Sequence, residues 1–224
     1  MRLDFGDGIK RFGPTNRRLA ILIAALLAMP VAAAAQDDPR VIPPPKAQKK
    51  LPEAPTKLPK VPADRTRGLD FLFGALKAAP DEDSARHVEA RIWALWLQTP
   101  SDTAALLMVR AKAALDAQNV DVALKLLDAV IKLRPDYVEA WNRRATIYYL
   151  QNDYGRSLAD IQQVLLREPR HFGALAGLGM IMQDLGEEKR ALDAFRKALD
   201  VNPHLEKVPD LVKTLTEKVE GRDI

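Results

Sequence analysis

Four prolines constrain this chain more than any other feature: Pro100, Pro135, Pro169 and Pro203, at intervals of 35, 34 and 34 residues. Proline lacks the N–H that a helix interior needs, and its ring clashes with the preceding turn. It also pushes the residue before it out of the helical region. A unit of this length between two such stops has room for two short helices and a turn. Such a unit cannot bury its own apolar face, so successive units must stack on one another. Hydrophobic residues are 47% of the chain and aromatics only 6%, an Ala- and Leu-rich balance that favours helices over strands.

The residues between the prolines repeat as well. One unit carries Trp141, Arg144, Ala145 and Tyr148, then Ser157 and Ile161 before Pro169. The next carries Leu175, Leu178, Gly179 and Met182, then Ala191 and Phe195 before Pro203. The earlier one reads Leu107, Arg110, Ala111 and Ala114, then Ala123 and Leu127 before Pro135. Small residues at 111, 145 and 179 let the first helix of a pair approach the second, and those at 123, 157 and 191 do so from the other side. Leu127, Ile161 and Phe195 fill the space between adjacent pairs. Gln118-Asn119, Asn152-Asp153 and Gly186-Glu187 fall between the helices of each pair, where a left-handed residue should end the first helix.

This pattern resembles the tetratricopeptide-repeat family over about Ala104 to Pro203. The resemblance implies an all-α, right-handed solenoid with three repeats over residues 100–203. A divergent helical pair at 67–99 precedes them, with helices expected over Leu69–Ala79 and Glu82–Leu97. Leu76 stands there at the usually small position, so irregular packing is expected. Residues 204–224 should form a capping helix, starting near Leu205, and a tail. The family also implies binding of a protein or peptide partner on the concave face formed by the first helices. The aligned positions there include Glu139, and the candidate partner-binding set is Met108, Lys112, Asn142, Arg143, Thr146, Tyr149, Met180 and Gln183. Family members that grip a partner's terminal carboxylate carry Lys, Asn and Arg at set positions. Here those positions read Met108, Lys112, Arg143, Gly173 and Gly177, so that clamp is not formed. Arg144 is unusual for the family, which places an apolar residue there; a buried guanidinium needs an acid, and Asp160 on the facing helix is the expected partner.

The first 35 residues have the layout of a signal peptide. Arg17 and Arg18 precede an uncharged apolar run, Leu19 to Met29, and Ala33 and Ala35 suit a cleavage site after Ala35. The run is shorter than the roughly 20 apolar residues a spanning helix needs. The expected location is therefore exported and periplasmic, the alternative being inner-membrane anchoring by an uncleaved leader, which would then be the sole membrane contact. Residues 36–66 form a Pro/Lys-rich linker, expected to be disordered, with eight prolines from Pro39 to Pro62 among lysines. The leader holds five basic against two acidic residues, so three of the four excess positive charges belong to it. The remainder gives no electrostatic case for nucleic acid.

Nothing in the chain reads as catalytic machinery. There is no cysteine, which removes disulfides, thiolate metal sites and cysteine nucleophiles. His87, His171 and His204 lie far apart, without the spacing of a helical metal motif, and each reads as a surface or packing residue. No phosphate-cradling glycine loop or nucleophile elbow occurs, so no catalytic, cofactor or metal residue is assigned and an enzyme is not expected. The acidic run Asp81, Glu82 and Asp83 fits a helix start, where the macrodipole favours negative charge. The segments 141–150 and 168–179 resemble bacterial periplasmic proteins of this repeat type, some linked to envelope integrity. The expected function is a periplasmic scaffold or adaptor for protein partners. The alternative is a cell-wall binding protein that holds peptidoglycan or another anionic glycan through the Lys/Pro tether and repeats.

Overall fold

The computed structural model describes residues 63–221. The leader at 1–35, the linker through residue 62, the expected cleavage site and residues 222–224 lie outside the described residues. Among the described residues the structure is all helix: α1 (Ala63–Lys77), α2 (Glu82–Leu97), α3 (Asp102–Asp116), α4 (Val120–Leu133), α5 (Val138–Leu150), α6 (Tyr154–Arg167), α7 (Phe172–Asp184), α8 (Glu188–Val201) and α9 (Val208–Val219). None of them is long and apolar enough to cross a membrane. The pairs α3–α4, α5–α6 and α7–α8 are the three expected repeats, and α9 packs on α8 at the end. α1 begins at Ala63, just after Pro62, ahead of both the expected Leu69 and the linker boundary at residue 66; Arg65 anchors this first turn by donating to the Leu95 carbonyl at 2.8 Å. α9 begins at Val208, later than Leu205, because Lys207 adopts a left-handed conformation at φ 65° before it.

Each repeat turns in the same way. Gln118 (φ 60°), Asn152 (φ 60°) and Gly186 (φ 77°) are left-handed, and the next residue's N–H returns to a carbonyl five positions back. Those bonds run from Asn119 to Ala114, Asp153 to Tyr148 and Glu187 to Met182, at 2.7–2.8 Å. They satisfy helix-end carbonyls that would otherwise lack partners. Between repeats, the extended residues Arg134 and Glu168 stand before the prolines, and each accepts a turn bond from Tyr137 or His171 at 3.0 and 3.1 Å.

Packing follows the small positions. Ala111, Ala145, Ala123, Ser157 and Ala191 are buried, as are Leu127, Ile161 and Phe195. A Cβ at Gly179 would sit 2.6 Å from the Phe195 ring, closer than atoms can approach. Arg144 behaves as its neighbours require. Its Nε and Nη2 donate to the two Asp160 oxygens at 2.7 Å, and Nη1 donates to Asp128 at 2.6 Å, so α5 is tied to both α4 and α6. The guanidinium also lies 5.1 Å from the Trp141 ring centroid.

The first pair departs from the stack. α2 leans on α5 rather than on its sequence neighbours α3 and α4. One local cause is visible. Leu76 and Val88 stand where the repeats have small residues, so α1 and α2 cannot adopt the same close approach. At the junction, Ser101 N–H turns to Thr99 Oγ1 at 3.4 Å, the same bond that Arg170 and His204 N–H make to the Glu168 and Asn202 side chains at 3.1 Å after the later prolines. Leu106 and Val109 of α3 and Val122 of α4 are left about half exposed at the end face.

Gly179→Ala should lose about 1–3 kcal/mol through overpacking. Gly177→Ala meets only Ile161 Cδ1 at 3.7 Å and should gain about 0.5–1 kcal/mol from reduced chain entropy. Urea unfolding of both variants checks this opposite pair of signs. Asp160→Ala, which leaves the Arg144 guanidinium with Asp128 as its remaining acid, should cost about 1–3 kcal/mol. Removing both charges together, as Arg144→Leu with Asp160→Leu, should cost less than the single change in the same measurement.

Candidate functional site

The concave face is built from the first helices α3, α5 and α7. Its N-terminal ends are covered by α2, and the contact is organised around a buried pair. Glu139, in the first turn of α5, and His171, immediately before α7, are 2% and 0% exposed. His171 Nδ1 accepts the Ala174 N–H at 3.1 Å, capping α7, so the ring proton is on Nε2. That Nε2–H donates to Glu139 Oε1 at 2.8 Å. One imidazole thereby starts one repeat and ties it to the previous one. Burial pushes the Glu139 carboxyl up, but the His171 bond, the nearby Arg143 charge and the Asn142 amide at 3.4 Å outweigh it. The carboxyl is held below its ordinary range.

The underside of α2 fits over this pair. Trp96 stacks on the His171 ring with centroids 4.1 Å apart and planes 14° from parallel. Trp93 meets His171 and Phe172 edge-on, each at 5.4 Å. Polar contacts fix the last turn and the middle of the helix. Tyr137 OH donates to the Leu97 carbonyl at 2.7 Å, and Asn202 Nδ2 donates to Glu89 at 3.0 Å. Glu89 also accepts the Trp93 indole N–H at 3.1 Å. Burial raises the Tyr137 hydroxyl well above its ordinary value. Tyr137 and His171 are one 34-residue period apart, so α2 runs across equivalent points of successive repeats. From α1, Asp70 pairs with Arg170 at 2.6 Å, and Phe73 lies under the same guanidinium at 4.4 Å.

The sequence-derived groove residues divide into three groups. Asn142 and Arg143 join the cradle beneath α2. Met108, Tyr149 and Met180 are buried, and Tyr149 OH donates to Asp184 at 2.9 Å, so these three serve packing. Lys112, Thr146 and Gln183 are half-buried towards the other end of the face; Lys112 pairs with Asp116 at 2.7 Å and Thr146 Oγ1 donates to the Asn142 carbonyl at 3.0 Å. The face is therefore partly filled by the chain itself. Sequence reasoning passed over Tyr137, His171, Trp96 and Asn202. The available signal was the placement of Tyr137 and His171 at one repeat phase, just ahead of a first helix. Among the described residues no three or more acidic or histidine side chains converge as a metal site. An apolar pocket of about 300 Å³ opens between α6 and α7, lined by leucines, Ile161 and Gln162, with no group suited to acid–base work.

A tetratricopeptide-repeat family model matches residues 108–160 and 151–205. A TPR repeat-containing protein of Rhizobium etli is 40% identical over 153 residues, spanning 68% of this chain and 75% of that protein. The chain belongs to the tetratricopeptide-repeat family. Among solved structures, the Sgt2 TPR domain of Aspergillus fumigatus aligns with a TM-score of 0.50 at 18% identity, covering 55% of this chain and 82% of that one. The first TPR of Spaghetti (RPAP3), bound to an HSP90 peptide, aligns at 0.51 and 13% identity, covering 55% and 97%. At these identities the likeness concerns the fold. Tetratricopeptide repeats generally act as surfaces for protein or peptide partners rather than as catalysts.

Because the Glu139 carboxyl is depressed in the folded state, its contribution to stability is present above its ordinary pKa of 4.5. It is lost as pH falls through the lower folded value. Wild-type Tm should hold above that ordinary value and drop below it. Glu139→Gln should be less stable at neutral pH by about 1–3 kcal/mol and flatter across the acid limb. Thermal melts followed by tryptophan fluorescence at stepped pH read both effects.

Proposed function

We propose that this chain is a non-catalytic periplasmic adaptor that holds protein partners in the concave groove of its repeats, in support of cell-envelope assembly or integrity. The observation that carries the reading is that the concave face already seats a helix. Paired aromatic contacts and fixed hydrogen-bond donors at Tyr137 and Asn202 hold α2 on the starts of α5 and α7. A surface that takes one helix in this way has the shape and chemistry for helix or extended-peptide recognition. Export rests on the leader sequence, with Arg17 and Arg18 before the apolar run and small residues at Ala33 and Ala35. A partner held by its terminal carboxylate is disfavoured, because Met108, Gly173 and Gly177 supply no side-chain cation or amide at the clamp positions.

Two measurements test the proposal. The full chain, expressed with its own leader, should be recovered from the periplasmic fraction with Gln36 as its mature N-terminus; recovery from the cytosol with residue 1 intact removes the localisation. In crosslinked envelope extract it should capture a defined set of proteins that Arg143→Ala with Thr146→Arg fails to hold. If the altered chain retains the same set, the groove is not the binding surface.

A further inference from the structure

The α1–α2 hairpin is joined to the repeats by residues 98–101 alone, and α2 lies against Tyr137, His171 and Phe172 at the starts of α5 and α7. Its seat is built, but its fit is incomplete. Trp96 is 1% exposed, yet its indole N–H has no hydrogen-bond partner among the described residues. Arg143 Nε, beside Tyr137 and Glu139 in the same cradle, is also buried without a partner among the described residues. Each stranded donor weakens the self-contact, because its lost hydration is not replaced. The pairing of Asp70 with Arg170 at the rim is largely open to water and contributes little holding force.

We propose that α2 is an internal stand-in for the chain's partner. The cradle takes an amphipathic helix with two aromatic side chains three residues apart and a carboxylate four residues before the first, the pattern of Glu89, Trp93 and Trp96. The stacking ring is His171, the edge-on contacts are His171 and Phe172, and Asn202 takes the carboxylate. Tyr137 takes a carbonyl from the last turn. A partner with an acceptor placed to reach Arg143 satisfies a donor that α2 leaves stranded, and so displaces the hairpin. Until then the hairpin shields the aromatic seat from unrelated apolar segments. A partner must therefore outcompete a tethered ligand, which lowers its apparent affinity by the fraction of time the seat is open. This inference rests on the groove being the partner surface.

The test uses the full chain and a fluorescent peptide of residues 80–99, the α2 sequence itself. Because the chain has no cysteine, Asp70→Cys with Arg170→Cys can be bridged by a short bismaleimide to hold the hairpin down. The bridged chain should bind the peptide at least about tenfold more weakly than the same chain unbridged, read by fluorescence anisotropy. Trp93→Ala with Trp96→Ala in the chain should bind it at least about tenfold more tightly than wild type, with far-UV circular dichroism confirming folded repeats. A peptide carrying those two alanines should not bind. Equal binding by bridged and unbridged chains, or binding by none of them, overturns the proposal. If the bridged chain also captures the same envelope proteins as the unbridged one, displacement is refuted while the adaptor reading stands. If neither captures any, the adaptor reading itself falls.

Discussion

Two helices of about three to four turns cannot shelter their apolar faces alone, so each pair in this molecule exists by leaning on the next. What permits the leaning is the lack of side-chain bulk where helices cross. Gly179 shows the limit most sharply, since the Phe195 ring occupies the space a Cβ would need. Ala111 and Ala145 play the same part in the other pairs, and the left-handed turns at 118, 152 and 186 set the second helix at the angle that uses the space. Stability is thus distributed along the stack, with a polar cap, α9, needed where the stack stops.

Where the pattern is broken, charge or bulk replaces it. Arg144 stands at a position suited to an apolar residue, and the bidentate bond to Asp160 with the second bond to Asp128 keeps its guanidinium satisfied across three helices. Such an arrangement is costly to break by halves, because the stranded charge cannot recover its hydration. Leu76 and Val88 break the pattern differently. They prevent the first pair from closing as the repeats do, and the hairpin buries its tryptophans on the concave face instead.

That displacement gives the concave face its character. The contact joins an imidazole, a carboxylate and two indoles in one buried cluster, in which the histidine serves α7 as a cap and Glu139 as a donor at once. The same atoms that fix the relation between two repeats also form the floor on which α2 rests. The seating of α2 and the alignment of the repeats are therefore coupled through shared contacts at His171 and Glu139 rather than through distant rearrangement.

Much of the architecture was legible in the residues alone. The proline interval, the small positions and the left-handed turn sites follow from steric rules that act within one repeat or between identical neighbours, so they repeat along the chain and can be counted. The Arg144–Asp160 pair was legible too, because a charge at an apolar position demands a partner on the facing helix. The seat of α2 was not. Its contacts join residues about 40 to 113 positions apart, as Leu97 with Tyr137 and Glu89 with Asn202 do, and no period relates them. Histidine 171 looked ordinary in sequence because its role comes from what covers it. Sequence by itself determined that helical hairpins must form and stack; only the tertiary structure decided which face the first hairpin covers, since that choice depends on long-range burial of Trp93 and Trp96 and not on any local rule.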